Sequence, residues 1–117
     1  MSESAWIDPA MAVLDELLAG REPSRDDQRA AVKASLAVLA ERAPGRSVEV
    51  RVPPFAAVQV VAGGSHRRGT PPAVVETDPA TWLALSLGRV EWAEAIGSGR
   101  LRASGERSDL SGLLPLI

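Results

Sequence analysis

The sequence predicts an α+β domain in which an antiparallel-dominated sheet of about four or five strands follows an N-terminal helical pair. Three observations carry this. Apolar residues recur at helical spacing up to about residue 43, and from Val48 onward the period switches to two. Strand-like segments then come in a group, which implies antiparallel pairing of consecutive strands. Two further helical segments follow before a last strand. The length of 117 residues suits one domain, with the helical pair over 1–45 and the sheet and its helices over 46–117.

Asp8 and Pro9 mark the first helix start, with Asp8 as the cap and Pro9 at the first helical position. Met11, Leu14, Leu17 and Leu18 follow at helical spacing and Gly20 ends the segment. Ser24 caps a longer helix, with Asp26 and Asp27 in its first turn, where the helix dipole favours anions. Val32, Leu36, Leu39 and Ala43 form its apolar stripe; Arg25, Arg29 and Lys33 share a solvated face. Pro44 and Gly45 terminate it.

Val48, Val50 and Val52 alternate with polar residues and predict a half-buried strand. Pro53 and Pro54 mark a turn, edge or bulge, because proline cannot extend a central ladder. Residues 55–62 form a second strand, apolar on both sides and so expected to be covered on both. After a loop over 63–72, residues 73–77 form a third strand. Asp78 and Pro79 open a helix carrying Trp82, Leu83, Leu85 and Leu87 to Gly88. A short helix carries Trp92 and Ile96, residues 100–104 form a fourth strand, and Ser108 caps a last helical turn. The chain ends in Leu113, Leu114, Pro115, Leu116 and Ile117, which need cover, as a lid over the gap between sheet and helices or in a symmetric homodimer interface.

Composition narrows the chemistry. There is no cysteine and one histidine, His66, so disulfides, thiolate nucleophiles and multi-imidazole metal sites are excluded. A net charge of −2 gives no electrostatic footprint for nucleic acid. The first ten residues lack a secretory signal pattern, and the longest uncharged stretch, broken by Pro53, Pro54, Gly63 and Gly64, is unsuited to span or insert stably in a membrane. A cytoplasmic location is the expectation. Gly64 to Thr70 has the spacing of a phosphate loop but lacks its lysine, and Pro71 and Pro72 stand where a helix should open. Glu76 and Asp78 are the nearest carboxylate pair, but Asp78 serves as a cap and Glu76 has Arg51 or Arg102 as partner, so no hydrolytic pair is expected. No catalytic triad context surrounds any serine. The chain is expected not to be an enzyme and to need no cofactor or metal.

Several blocks carry a family likeness: Arg51, Val52, Pro53, Pro54, Phe55, Ala56, Ala57, Val58 and Gln59; Arg68 to Pro72; Val74 to Pro79 with Thr81, Trp82 and Leu83; and Gly99 to Gly105. On these the chain resembles the small bacterial branch of the sterol carrier family, closely over 51–117 and loosely over the two N-terminal helices. The resemblance implies a twisted sheet with helices on one face and an apolar tunnel between the layers that takes sterols or fatty acyl chains without catalysis. Val58, Val60, Val74, Trp82, Leu85, Trp92, Ile96, Leu101 and Leu113 are then the expected lining, unless they fill one another's space as a core. His66, Arg67 and Arg68 are the expected contacts for a headgroup or anion, if they are more than a solvated loop tip. Two functions follow: a non-enzymatic carrier of a lipid-like small molecule, or a protein-interaction or regulatory domain on the same scaffold without a cavity. In the second, Trp6, exposed or packed across a subunit boundary, and the apolar C-terminus mark the partner surface.

Overall fold

A computed structural model describes residues 4–63 and 73–117. Helices α1 (Ile7–Leu18) and α2 (Arg25–Arg42) precede strands β1 (Val48–Val52), β2 (Ala56–Val60) and β3 (Ala73–Thr77). Helices α3 (Pro79–Ser86) and α4 (Trp92–Gly97), strand β4 (Leu101–Ser104) and one 3-10 turn (Ser111–Leu113) complete the order.

Capping explains two of the helix starts. Ser24 Oγ accepts from the Asp27 backbone N–H at 3.0 Å, and Asp78 Oδ1 accepts from the Thr81 N–H at 2.8 Å while its Oδ2 accepts from the Thr81 hydroxyl at 2.8 Å. Helix α1 departs from expectation. It begins at Ile7 behind Trp6, with no side-chain cap, so Asp8 sits inside the first turn and acts there only through the dipole. Ser108 is not a cap either: its hydroxyl donates to Gly105 O. The last turn is held by Asp109, whose carboxylate accepts from the Ser111 N–H at 2.9 Å. That backbone bond, then the Ser111 side chain, holds the Asp109 carboxyl below its ordinary range. A folded-state value below the unfolded one stabilises the fold above the unfolded range, and this stabilisation is lost as pH falls through the lowered value. An NMR titration should therefore place the Asp109 midpoint below that of a model peptide; a midpoint at or above it would remove the cap.

The sheet order is β2-β1-β3-β4. β1 pairs antiparallel with β2, β3 pairs antiparallel with β4, and β1 pairs parallel with β3. Antiparallel pairing thus dominates, but β2 and β3, consecutive in sequence, are not neighbours. Parallel neighbours cannot be joined by a tight hairpin, and β2 lies between β1 and β3 in the sequence. In the sheet β2 lies at an edge. Its Ala57 and Gln59 are exposed, so the strand is covered on one side and not two.

Val48, Val50, Val52, Val60, Ala73, Val75, Thr77 and Leu101 are buried in the strands, while Glu49, Arg51, Glu76 and Arg102 alternate with them on the outer side. On that outer face Arg102 pairs with Glu76 at 3.0 Å and Arg51 with Glu49 at 2.5 Å. The helices cover the inner face. Their packing is set by Trp82, fully buried, whose indole Nε1–H donates to Ser35 Oγ at 2.8 Å. The Ser35 hydroxyl in turn lies 2.9 Å from both Ala31 O and Val32 O, and the Ser86 hydroxyl donates to Trp82 O at 2.8 Å. Among the described residues no buried side-chain polar atom lacks a partner, which removes the main penalty of burying such groups. Gly45 permits a close approach: with φ +151° it lies so near Val61 that a Cβ there would sit 2.0 Å from Val61 O.

The apolar C-terminus docks within its own chain. Leu116 is 1% exposed, its N–H donates to Ser86 O at 2.9 Å, and Arg42 Nη1 donates to Leu116 O at 2.5 Å. Leu110 is buried beside it, while Ile117 remains exposed.

Candidate functional site

Four members of the expected tunnel lining are buried with almost no open surface. Val60 and Trp82 expose nothing, and Leu85 and Leu101 expose 2% each. A tunnel wide enough for an acyl chain would leave surface along its walls accessible to a water-sized sphere. These side chains instead fill one another's space, as interiors do at crystal-like density. Val58 is half-buried and packs against this core from the edge strand, and Leu113 does so from the last turn.

Val74 does not join them. It pairs in register with Glu49 and Ser104 and alternates with the buried Ala73 and Val75, so it belongs to the outer, polar face of the sheet. Ile96 is exposed on α4. Leu85 and the half-buried Trp92 do come together, at a hollow of about 390 Å³ closed on its far side by Leu114 and Pro115 of the C-terminal segment. His66, Arg67 and Arg68 lie outside the described residues. Trp6, expected to be exposed or at a subunit boundary, is 8% exposed and packs into the chain's own core.

A polar cleft of about 370 Å³ opens beside the sheet near Glu76, Asp78, Arg100 and Arg102. Both of its arginines are paired: Arg102 faces Glu76 at 3.0 Å and Arg100 faces Glu94 at 3.5 Å, while both carboxylate oxygens of Asp78 accept hydrogen bonds from Thr81. Such exposed pairs contribute about 1 kcal/mol or less each, and the cleft offers no unpaired cation to an anionic ligand. Among the described residues no group of three or more metal-ligating side chains forms, and no helix is long and apolar enough to cross a membrane.

A larger concavity lies elsewhere. The short connection after Leu18 folds α2 back along α1, and the two helices leave a groove of about 620 Å³ between them. Trp6, Pro9 and Val13 form one wall; Ala30, Ala34 and Val38 form the other. The volume falls within the range of about 300–1,000 Å³ typical of small-molecule sites, and the walls are predominantly apolar as such sites require. Of the ten lining residues only Asp27 carries a charge. Six of the ten lining residues are alanine or proline, so much of the groove's width comes from small side chains.

Reading the sequence for one apolar stripe on α2 misses this second surface. Val32, Leu36 and Leu39 face the core, whereas Ala30, Ala34 and Val38 repeat at helical spacing on a different side. That spacing was the available signal, and it rests on residues too small to stand out by hydropathy.

Comparison with curated protein sequences gives no match. The bacterial SCP ortholog family matches residues 24–116, from the Ser24 cap to the docked Leu116, and leaves α1 outside the match. The groove is therefore formed between a family element, α2, and a segment beyond the matched region. With the greater part of its length matched, and with the α+β architecture described above, the chain belongs to the bacterial SCP ortholog family.

Proposed function

We propose that the protein is a non-enzymatic, cytoplasmic carrier or binding protein for a hydrophobic small molecule, a sterol, fatty acyl chain or similar lipid, and that the ligand lies in the groove between α1 and α2. The observation that carries this is the groove itself, about 620 Å³ and apolar on both walls, beside a closely buried set of core side chains among the described residues. Binding there would be driven by apolar burial at roughly 25 cal/mol per Å² removed from water. The family membership supports a lipid-carrier scaffold.

The test is a titration with a fluorescent acyl or sterol probe, alongside Ala30→Trp, which fills the groove from its exposed rim. Saturable binding at micromolar protein is expected, with at least a tenfold loss in the variant and stability changed by no more than about 1 kcal/mol, as for surface positions. Absence of saturable binding, or equal binding by Ala30→Trp, would refute the reading. The filled interior also favours a second reading, a protein-interaction domain that keeps the scaffold without a cavity. Native mass spectrometry of freshly purified protein separates the two, since a carrier brings its lipid as added mass.

A further inference from the structure

We infer that the groove between α1 and α2 selects amphiphiles whose polar end is cationic or donates hydrogen bonds, and that Asp27 receives that end. This rests on the reading of the groove as the ligand site. Asp27 is the one charged residue of the lining, and no arginine or lysine shares it. Its carboxylate makes no ion pair or hydrogen bond among the described residues; only its backbone N–H is engaged, by Ser24 Oγ.

The neighbouring charges are committed elsewhere. Asp26 pairs with Arg29 at 3.0 Å, and Arg25 and Arg29 lie over the Phe55 ring at 5.6 and 5.9 Å. A ligand carboxylate in this groove would meet a like charge with no lining cation beside it, only the partial positive end of α2, and would find the Asp27 N–H already taken by Ser24. An ammonium, or a hydroxyl able to donate, would instead gain an acceptor at the end of an otherwise apolar wall. Such a carboxylate aligns the amphiphile as well as selecting it, because the alkyl chain has only the apolar remainder of the groove to occupy.

The experiment compares decylamine, decanol and decanoate, identical in chain and each kept below its micellar concentration, by isothermal titration at neutral pH and low ionic strength. Decylamine is expected to bind about five-fold or more tighter than decanoate, the scale of an exposed charge pair, with decanol between them. Added salt should compress the difference. Asp27→Asn should abolish the preference for the amine over decanoate, with decanol weakened far less than decylamine because the amide oxygen still accepts. Equal affinities for all three, a preference for decanoate, or a preference that persists in Asp27→Asn would overturn the inference and leave the groove as a ligand site. No saturable binding by any of the three would overturn the groove reading itself, and this inference with it.

Discussion

Trp82→Ala should destabilise the protein by about 3–5 kcal/mol, the range for truncating a buried aromatic. A domain of this kind has a margin of only about 5–15 kcal/mol, so a substantial unfolded fraction at moderate temperature is expected. The reason is twofold. The indole of α3 is fully buried against α2, and its Nε1–H supplies a 2.8 Å bond to Ser35 Oγ. Ser35→Ala should by itself lower stability by about 1–3 kcal/mol, because it leaves that N–H buried with no acceptor. Trp82→Phe removes the donor and most of the polar demand. The double variant Trp82→Phe/Ser35→Ala should then be less destabilised than the sum of the single changes, by about 0.5 kcal/mol or more. Urea denaturation of the four proteins measures this. Strict additivity would show that the bond contributes nothing beyond the packing of its two residues.

The second large effect is at the C-terminus. Leu116→Ala should lower stability by about 2–5 kcal/mol, as for a leucine in a fully packed core, and truncation after Gly112 should lower it further. The tail is held by more than apolar contact: its backbone N–H reaches Ser86 O, its carbonyl accepts from Arg42, and these groups sit on α3 and α2. Removing the tail leaves Ser86 O at the end of α3 and the Arg42 guanidinium without these partners. Thermal melting of the point variant and the truncated chain distinguishes a structural strap from a dispensable end. A change of less than about 1 kcal/mol in Leu116→Ala would mean that its burial is not coupled to the core.

What the sequence made legible follows the range of the forces involved. Local chemistry was readable. Ser24 and Asp78 cap the helices expected of them, the alternation of Val48, Val50 and Val52 gives β1, and Glu76 finds Arg102 across β3 and β4. Nonlocal order was not. Nothing in the period of β1 and β3 states that they pair in parallel, since alternation fixes which residues share a face and not which strand lies beside which. Val74 shows a related gap. Alternation correctly places it with Glu76, but alternation has no sign, and only the position of the helices decides which face is inward. An acidic partner on its face was the clue to the outer side. Asp8 and Ser108 show that a capping residue type is not a cap unless the backbone turns there. The groove escaped because alanine lines it: a concavity is made by what side chains leave empty, and no scale of residue hydropathy registers emptiness.

The tightness of the centre has a mechanical corollary. Hydrostatic compression unfolds proteins chiefly by flooding the hollows that folding leaves inside them. A molecule whose described core residues are this closely buried, and whose groove between α1 and α2 is open to solvent, has little internal volume to surrender there. Its response to kilobar loading should therefore be stiffer than that of a carrier built around an enclosed pore.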